Sequence, residues 1–461
     1  MEQSRISTDF SVHPDEVIAL LRLMPLLQQV PDDALKKLCE TLQPVTYGPA
    51  EAIVRLNSEG AGLYIIWNGE AKVKSPPNDH PMAHKESLLK RGDYFGLGIM
   101  GPVKQKYKVD VVAITEVLCL VLYRERADLL SLTSVWNLDT KYESPSKLEM
   151  IMQMEPVGAI GDMKMKGQGF PNYYAAFKQG TKPKSAGDLM AGPNYFGGQL
   201  VAQALYAATK TVDAELLVHS LHSYFILAAD SNFSVVYEVE KIRDGKSFAT
   251  RHVKATQHDK IVFRLYASFQ REEKGFEHSA PMPSVPGPDE VVSMEQLFDE
   301  FTIDPRLPLD RKKKFAGMKV EAVPVDVRYV TPVDKFQPMN REPRRMMWMR
   351  SRINVSEGQN FHRSVSAYAT DLHFLETSLR PHSESFGRPA QILSLDHTIW
   401  FHSSFNSAEW LLFVMESPAA IDGRGLVMGK LYTQGGKLVM TVAQEGVIRL
   451  KENQIQRVSK L

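Results

Sequence analysis

Three glycines at Gly96, Gly98 and Gly101 spell a G-x-G-x-x-G within YFGLGIMGPVKQKYKVD, a spacing that lets backbone approach a phosphate closely. A dinucleotide turn of this kind follows a strand and opens a helix, whose N-terminal N–H groups hold the pyrophosphate. Here Pro102 follows the third glycine, and the next regular stretch, VDVVAITEVLCLVLY, is β-branched and strand-like. The glycines therefore read as a turn between strands. No G-x-S-x-G elbow is present, so a serine hydrolase with a covalent acyl intermediate lacks its signature. His219 and His222 lie on a strand-like HSLH, where residues three apart face opposite sides. With no C-x-x-C in the chain either, no metal site is expected.

The elements that would position any chemistry fall into three groups. The 461 residues suggest roughly three domains at about 150 residues each. The first group opens with the amphipathic PDEVIALLRLMPLLQQVPDDALKKLCETL and continues as short strands, IVRL, LYIIWNGEAKV and VDVVAITEVLCLVLY, broken by glycines. The second carries one clear helix, GGQLVAQALYAATKTV, followed by strand-like HSLHSYFIL, FSVVYEVEKI and ATRHVKATQHDKIVFRLYASFQ. The proline-rich PMPSVPGP then reads as the start of a linker, and a third group runs to about Leu450. The boundaries expected are a tail at 1–14, a first domain at 15–135, linkers at 136–147 and 281–324, domains at 148–280 and 325–450, and a tail at 451–461.

The second and third groups look like copies of one unit. TQHDKIVFRLYASFQ from Thr256 and TQGGKLVMTVAQEG from Thr433 share T-Q-x-x-K before a hydrophobic strand, at an offset of 177. SYFIL around Tyr224 and TIWFH around Trp400 repeat at nearly the same offset, 176. One helix plus several long antiparallel strands per copy is an α+β layer in which the sheet must cover the helix.

Charge and composition exclude several classes. Lys and Arg number 55 against 54 Asp and Glu, a net charge of +1, so no general attraction to nucleic acid is expected. Two cysteines, Cys39 and Cys119, argue against a disulfide framework and for a reducing compartment. No apolar run approaches the roughly 18 residues of a membrane span, so no membrane partner is expected. The sequence ends in Ser459, Lys460 and Leu461, and a terminal S-K-L is an address read by the peroxisomal import receptor.

At LSLDHTIWFH, EWLLFVMESP, GRGLVMGKLYTQ and AQEGVIRL the third group resembles the acyl-CoA thioesterase II family, of the plant peroxisomal type. FGGQLVAQAL and HSLHSYFIL are similar to the first half of that family. The resemblance implies a double hot-dog: two curved antiparallel sheets, each wrapping a long helix. Between Pro156 and Tyr195 the family's first strand is not recognisable, and KMKGQGFPNYYAAFKQGTKPKSAG stands there. The first group, at MPLLQQVP, LYIIWNGEAKV and GDYFG, resembles a cyclic-nucleotide-binding domain, a β-roll. In that family's phosphate cassette a Glu follows the glycine at Gly96, and an Arg comes later. Here Leu97 holds the Glu position and Lys106 or Tyr107 the Arg position, which makes the cassette degenerate: leucine accepts no hydrogen bond, and lysine lacks the arginine fork.

The thioesterase resemblance implies a water-mediated hydrolysis of acyl-CoA to fatty acid and coenzyme A, with no redox cofactor and no metal. Carried over by motif, Asp371 in YATDLHF is the general base, while Ser394 in ILSLDH and Gln444 in AQEGV hold the attacking water. From the residues alone, Asp371 also suits a helix-terminal cap, Ser394 a backbone partner, and Asp396 in LDHT is a rival base. Arg243, Lys246 and Arg251 in KIRDGKSFATRH could meet coenzyme A phosphates, although RDGK equally suits a solvated hairpin turn. The family implies assembly into a homo-oligomer and peroxisomal fatty acid metabolism. The alternative is a cyclic-nucleotide-responsive binding protein whose thioesterase half is inactive.

Overall fold

The computed structural model describes residues 13–22, 32–74, 87–96, 106–107, 109–126, 147–157, 163–167, 194–307, 309, 312, 324–331, 341–353, 358–382 and 389–458. The chain divides into two compact units: Met1–Thr140 with Glu295–Lys319 and Lys335–Gln337, and Lys141–Met294 with Val320–Asp334 and Pro338–Leu461.

In the first unit eight strands form two four-stranded antiparallel sheets. They are β1 (Gln43–Tyr47), β2 (Ala52–Val54), β3 (Gly62–Asn68), β4 (Ala71–Lys74), β5 (Ser87–Leu89), β6 (Tyr94–Phe95), β7 (Asp110–Ala113) and β8 (Val117–Tyr123). One sheet has the order β1-β8-β3-β6 and the other β2-β7-β4-β5, the β-roll expected. GLYIIW is buried at every position because β3 is covered on both faces, and only Asn68 at its end is exposed. Tyr64 and Ile66 point into the roll beside Tyr47, Phe95 and Tyr107, and Leu63, Ile65 and Trp67 pack outward against Val17, Leu21 and Leu38 of two helices, Pro14–Leu21 and Asp32–Thr41.

The tract expected as a linker at 281–324 is only partly one. The proline signal holds for its start, but Met294–Ile303 is a helix and Glu295–Lys319 belongs with the first unit. The reason lies in MEQLFDEF, whose apolar spacing is helical and so presents one face to bury. Phe301 is buried, Thr302 O accepts from the Tyr94 hydroxyl at 3.0 Å, and Lys312 Nζ donates to Tyr94 O at 3.1 Å. Burial pushes the Lys312 ammonium down to about 8.

The second unit is built on one 13-stranded antiparallel sheet. Its first half holds β9 (Met154–Pro156), β10 (Lys164–Gly167), β11 (Leu216–Phe225), β12 (Val235–Asp244), β13 (Phe248–Gln257) and β14 (Lys260–Arg271). The second half holds β15 (Val325–Tyr329), β16 (Arg344–Ser351), β17 (Gln391–Ser394), β18 (Asp396–Phe401), β19 (Leu411–Ile421), β20 (Arg424–Thr433) and β21 (Leu438–Arg449). The halves follow one topology, β10-β12-β13-β14-β11 and β16-β19-β20-β21-β18, so the duplication read from the sequence is present in the sheet. They join through β11 and β18, the two strands of the Tyr224 and Trp400 motifs, in the register Ser220↔Trp400 to Tyr224↔Asp396.

Two central helices, Gly197–Thr209 and Gln359–Ala369, lie under this sheet. They run antiparallel, with Phe196 against Tyr368 at 5.0 Å and Tyr206 against Phe361 at 5.7 Å between ring centroids. Close approach requires glycine at one end: a Cβ on Gly198 would stand 2.4 Å from Tyr368 O. The first strand not recognised between Pro156 and Tyr195 exists as β10, paired with β12 at Met165↔Tyr237. Its sequence, KMKG, is mostly polar and short, so it carries no hydrophobic run to announce it. Residues 168–193 of that tract lie outside the described residues. The C-terminal tail expected from 451 contains a helix, Glu452–Val458.

Candidate active site

The second central helix ends at Thr370, and Asp371 is the next residue. The chain then turns sharply at His373, whose φ of 58° is left-handed, into the 3-10 helix Leu375–His382. This turn presents the Asp371 carboxylate to the first helix and to β21 together. Gly198 N, in the first turn of helix Gly197–Thr209, donates to Asp371 Oδ2 at 2.8 Å. From β21, Gln444 Nε2 donates to Asp371 Oδ1 at 2.9 Å.

Ser394 ends β17, which pairs with β21 at Ser394↔Gly446. Close approach of the two strands depends on Gly446, where a Cβ would stand 2.7 Å from Leu393 O and overlap Leu375. The same Gln444 Nε2 donates to Ser394 Oγ at 2.6 Å. Asp371, Ser394 and Gln444, read from three separate motifs, thus form one hydrogen-bonded cluster around the fully buried Gln444 amide. Asp396, the rival base, is engaged elsewhere: its Oδ1 accepts from the Glu445 N–H at 2.7 Å. Burial raises its carboxyl above the ordinary carboxylate range.

Two neighbours of the cluster were not legible as functional. One is the Gly198 N–H, for which the glycine doublet opening the helix was the available signal. The other is His397, fully buried, with Nε2 3.0 Å from Thr370 Oγ1. It sits in the LDH of the Ser394 motif, and burial pushes its imidazole down to about 4.

Arg251 corrects the coenzyme expectation. It is 1% exposed, and its guanidinium donates to Thr211 Oγ1 and O, to Asp244 and to the carbonyls of Arg243 and Thr250. Such a clamp braces the β12–β13 hairpin and presents no N–H to a phosphate. Arg243 and Lys246 are exposed at the end of that hairpin.

In the first unit Gly96 has a φ of 86°, and a Cβ there would stand 2.3 Å from Gly62 O. Leu97 lies outside the described residues. Lys106 is exposed and pairs with Glu59 only through the backbone, as an isolated β-bridge, whereas Tyr107 is buried with its hydroxyl donating to Gly62 O at 3.1 Å. Ser459, Lys460 and Leu461 also lie outside the described residues. Among the described residues no group of three or more His, Cys, Asp or Glu could hold a metal ion, and no helix is long and apolar enough to cross a membrane.

Two joined sheet halves over paired central helices define the chain as a double hot-dog protein. The family models agree: the acyl-CoA thioesterase model matches residues 320–447, and that of the acyl-CoA thioesterase N-terminal domain matches 185–270. Human acyl-coenzyme A thioesterase 8 is 42% identical over 273 residues, spanning 57% of this chain and 85% of that protein. The peroxisomal acyl-coenzyme A thioester hydrolase 1 of Saccharomyces cerevisiae is 26% identical over 298 residues, spanning 55% and 85%. The solved acyl-CoA thioesterase II TesB2 of Mycobacterium marinum superposes with a TM-score of 0.50 at 31% identity, covering 66% of this chain and 99% of that one. This chain belongs to the acyl-CoA thioesterase family and is a thioester hydrolase. It carries in addition a domain matched at residues 44–132 by the cyclic nucleotide-binding domain model.

Proposed function

We propose that this chain hydrolyses fatty acyl-CoA, with Asp371 as general base and Ser394 and Gln444 as the groups that hold the water. The observation carrying this reading is the Gln444 amide, whose Nε2 donates to both Asp371 Oδ1 and Ser394 Oγ. Such an arrangement supports a water held between Asp371 and Ser394, with Gln444 holding it through the two groups its amide hydrogens fix. Ser394 Oγ accepts from the amide, so its own hydrogen can be directed at the water oxygen. Asp371 takes a proton as that oxygen attacks the thioester carbonyl. The C–O bond forms, the C–S bond breaks and Asp371 returns its proton to the departing thiolate, leaving fatty acid and coenzyme A thiol. Fixing the water beforehand converts position into rate.

The metabolic setting proposed is peroxisomal fatty acid breakdown. The name of the yeast relative supports this compartment, and S-K-L at Ser459–Leu461 is the address it would use. Exposed Arg243 and Lys246 remain the proposed contacts for coenzyme A phosphates, and a homo-oligomer is the proposed assembly. Hydrolysis of a series of acyl-CoA chain lengths by the purified chain, followed by release of free thiol, tests the activity. Absence of thiol release from every chain length would overturn it.

A further inference from the structure

Gln444 can hold water only if its amide is turned one way, with Nε2 towards Asp371 and Ser394. A primary amide flips easily between two orientations of nearly equal shape, and the flipped one would set Oε1 against the Asp371 carboxylate. Something on the far side must therefore recognise Oε1. Gln444 is 0% exposed, so a neighbouring protein group is the candidate for that role. Two buried polar atoms lack a hydrogen-bond partner, Gln444 Oε1 and His397 Nδ1, and the β18–β21 register that pairs Thr398 with Ala443 puts their residues side by side on adjacent strands. The Gln444 side chain nevertheless lies close enough to act on the imidazole as a hydrogen-bond partner. An acceptor and a possible donor, each lacking anything else, complement one another.

We infer that His397 is a positioning residue whose Nδ1–H donates to Gln444 Oε1 and locks the amide in its water-holding orientation. The inference rests on the reading of Gln444 given above. The His397 ring and its backbone are themselves held in place. Phe374 packs edge-on at 6.0 Å, Ser223 Oγ donates to His397 O at 2.7 Å, and Thr370 Oγ1 lies 3.0 Å from Nε2.

The tautomer follows from counting hydrogens. Thr370 Oγ1 has one hydrogen and two acceptors in reach, Ala367 O at 3.0 Å and His397 Nε2. If it went to Ala367 O, Nε2 would carry the imidazole proton, and the Nδ1 lone pair would face the Gln444 carbonyl. Two buried acceptors would then oppose each other, at a cost that a donor–acceptor pair avoids. Donation from Thr370 to Nε2 leaves the proton on Nδ1 and satisfies every atom in the chain Thr370–His397–Gln444–Asp371. Burial keeps the ring neutral at physiological pH, so one nitrogen carries the proton and the other accepts.

Substitutions at His397 in the full chain separate this lock from plain packing. His397→Asn keeps a donor near the Nδ1 position, and His397→Gln keeps one only near Nε2. For substrate turnover, His397→Asn is expected within about fivefold of the parent and His397→Gln about ten- to a hundredfold lower, both with KM unchanged. In a Gln444→Ala background the His397→Gln change should add no further loss. Equal kcat for the two folded variants, or a full additional loss in that background, would overturn the proposal. Nitrogen-15 NMR of the imidazole in the parent protein reads the tautomer without catalysis: a protonated Nδ1 supports the lock, a protonated Nε2 refutes it. If Gln444→Ala kept full turnover, the water-holding reading would fail while the NMR still decided the hydrogen bond.

Discussion

Gly198 N–H donates to Asp371 Oδ2 at 2.8 Å across 173 positions of sequence, joining the start of the first central helix to the end of the second. The proposed base in the second hot-dog is therefore held by backbone of the first, and the helix N-terminus favours the negative charge there. A side chain at 198 would collide with Tyr368 O at 2.4 Å and the Phe196 ring at 2.6 Å. Gly198→Ala is expected to cost about 1–3 kcal/mol of stability through overpacking. It should also lower kcat by tilting Asp371 away from its partners. Thermal melting and steady-state kinetics check both.

Asp371→Asn, Ser394→Ala and Gln444→Ala are each expected to lower kcat by about a hundredfold or more, as for loss of a positioned base or water-holding group. Asp396→Asn should do much less, because its carboxylate serves the Glu445 N–H. Loss of turnover in the Asp396 variant with near-normal turnover in the Asp371 variant would reverse the assignment of the base.

Acid should destabilise the protein partly through His397. Its folded value is about 4 against an ordinary 6.5, so as pH falls the unfolded chain takes the proton first. Stability on this account is fully present above about pH 6.5 and declines between there and pH 4, by a total on the order of 3 kcal/mol. Chemical denaturation across that range should show a shallower acid decline in His397→Asn than in the parent.

Cyclic AMP and cyclic GMP are expected to bind the first unit weakly or not at all. Leu97 cannot accept from a ribose hydroxyl, which costs about 1–3 kcal/mol. Tyr107 is turned inward onto Gly62 O, and Lys106 is turned out towards solvent, so neither replaces a bidentate arginine. Titration calorimetry of the full chain against either nucleotide checks this, and low-micromolar affinity would contradict it.

Deleting Ser459–Leu461 should move the protein from peroxisomes to the cytosol while leaving its turnover in vitro intact. Fluorescence microscopy of the tagged, shortened chain in cells reads the outcome, and peroxisomal signal would count against the proposed address.

Much of this was written in the order of residues. The apolar run LYIIW, the T-Q-x-x-K repeat and the helix that opens at GGQ are local patterns, and local patterns survive being read in one dimension. Asp371, Ser394 and Gln444 came instead from the resemblance to the thioesterase family, each inside its own short motif. Other features depended on what folds against what. KMKG becomes β10 because β12 offers a partner edge, and the helix from Glu295 joins the first unit, where Thr302 O meets the Tyr94 hydroxyl. Arg251 looked like a phosphate ligand in one dimension, and only the position of Thr211 and Asp244 made it an internal clamp. The sequence determined the family, the duplication and the chemical groups. Tertiary structure decided which of those groups meet, since the contact of Gly198 with Asp371 and the shared Gln444 amide arise from packing between distant segments.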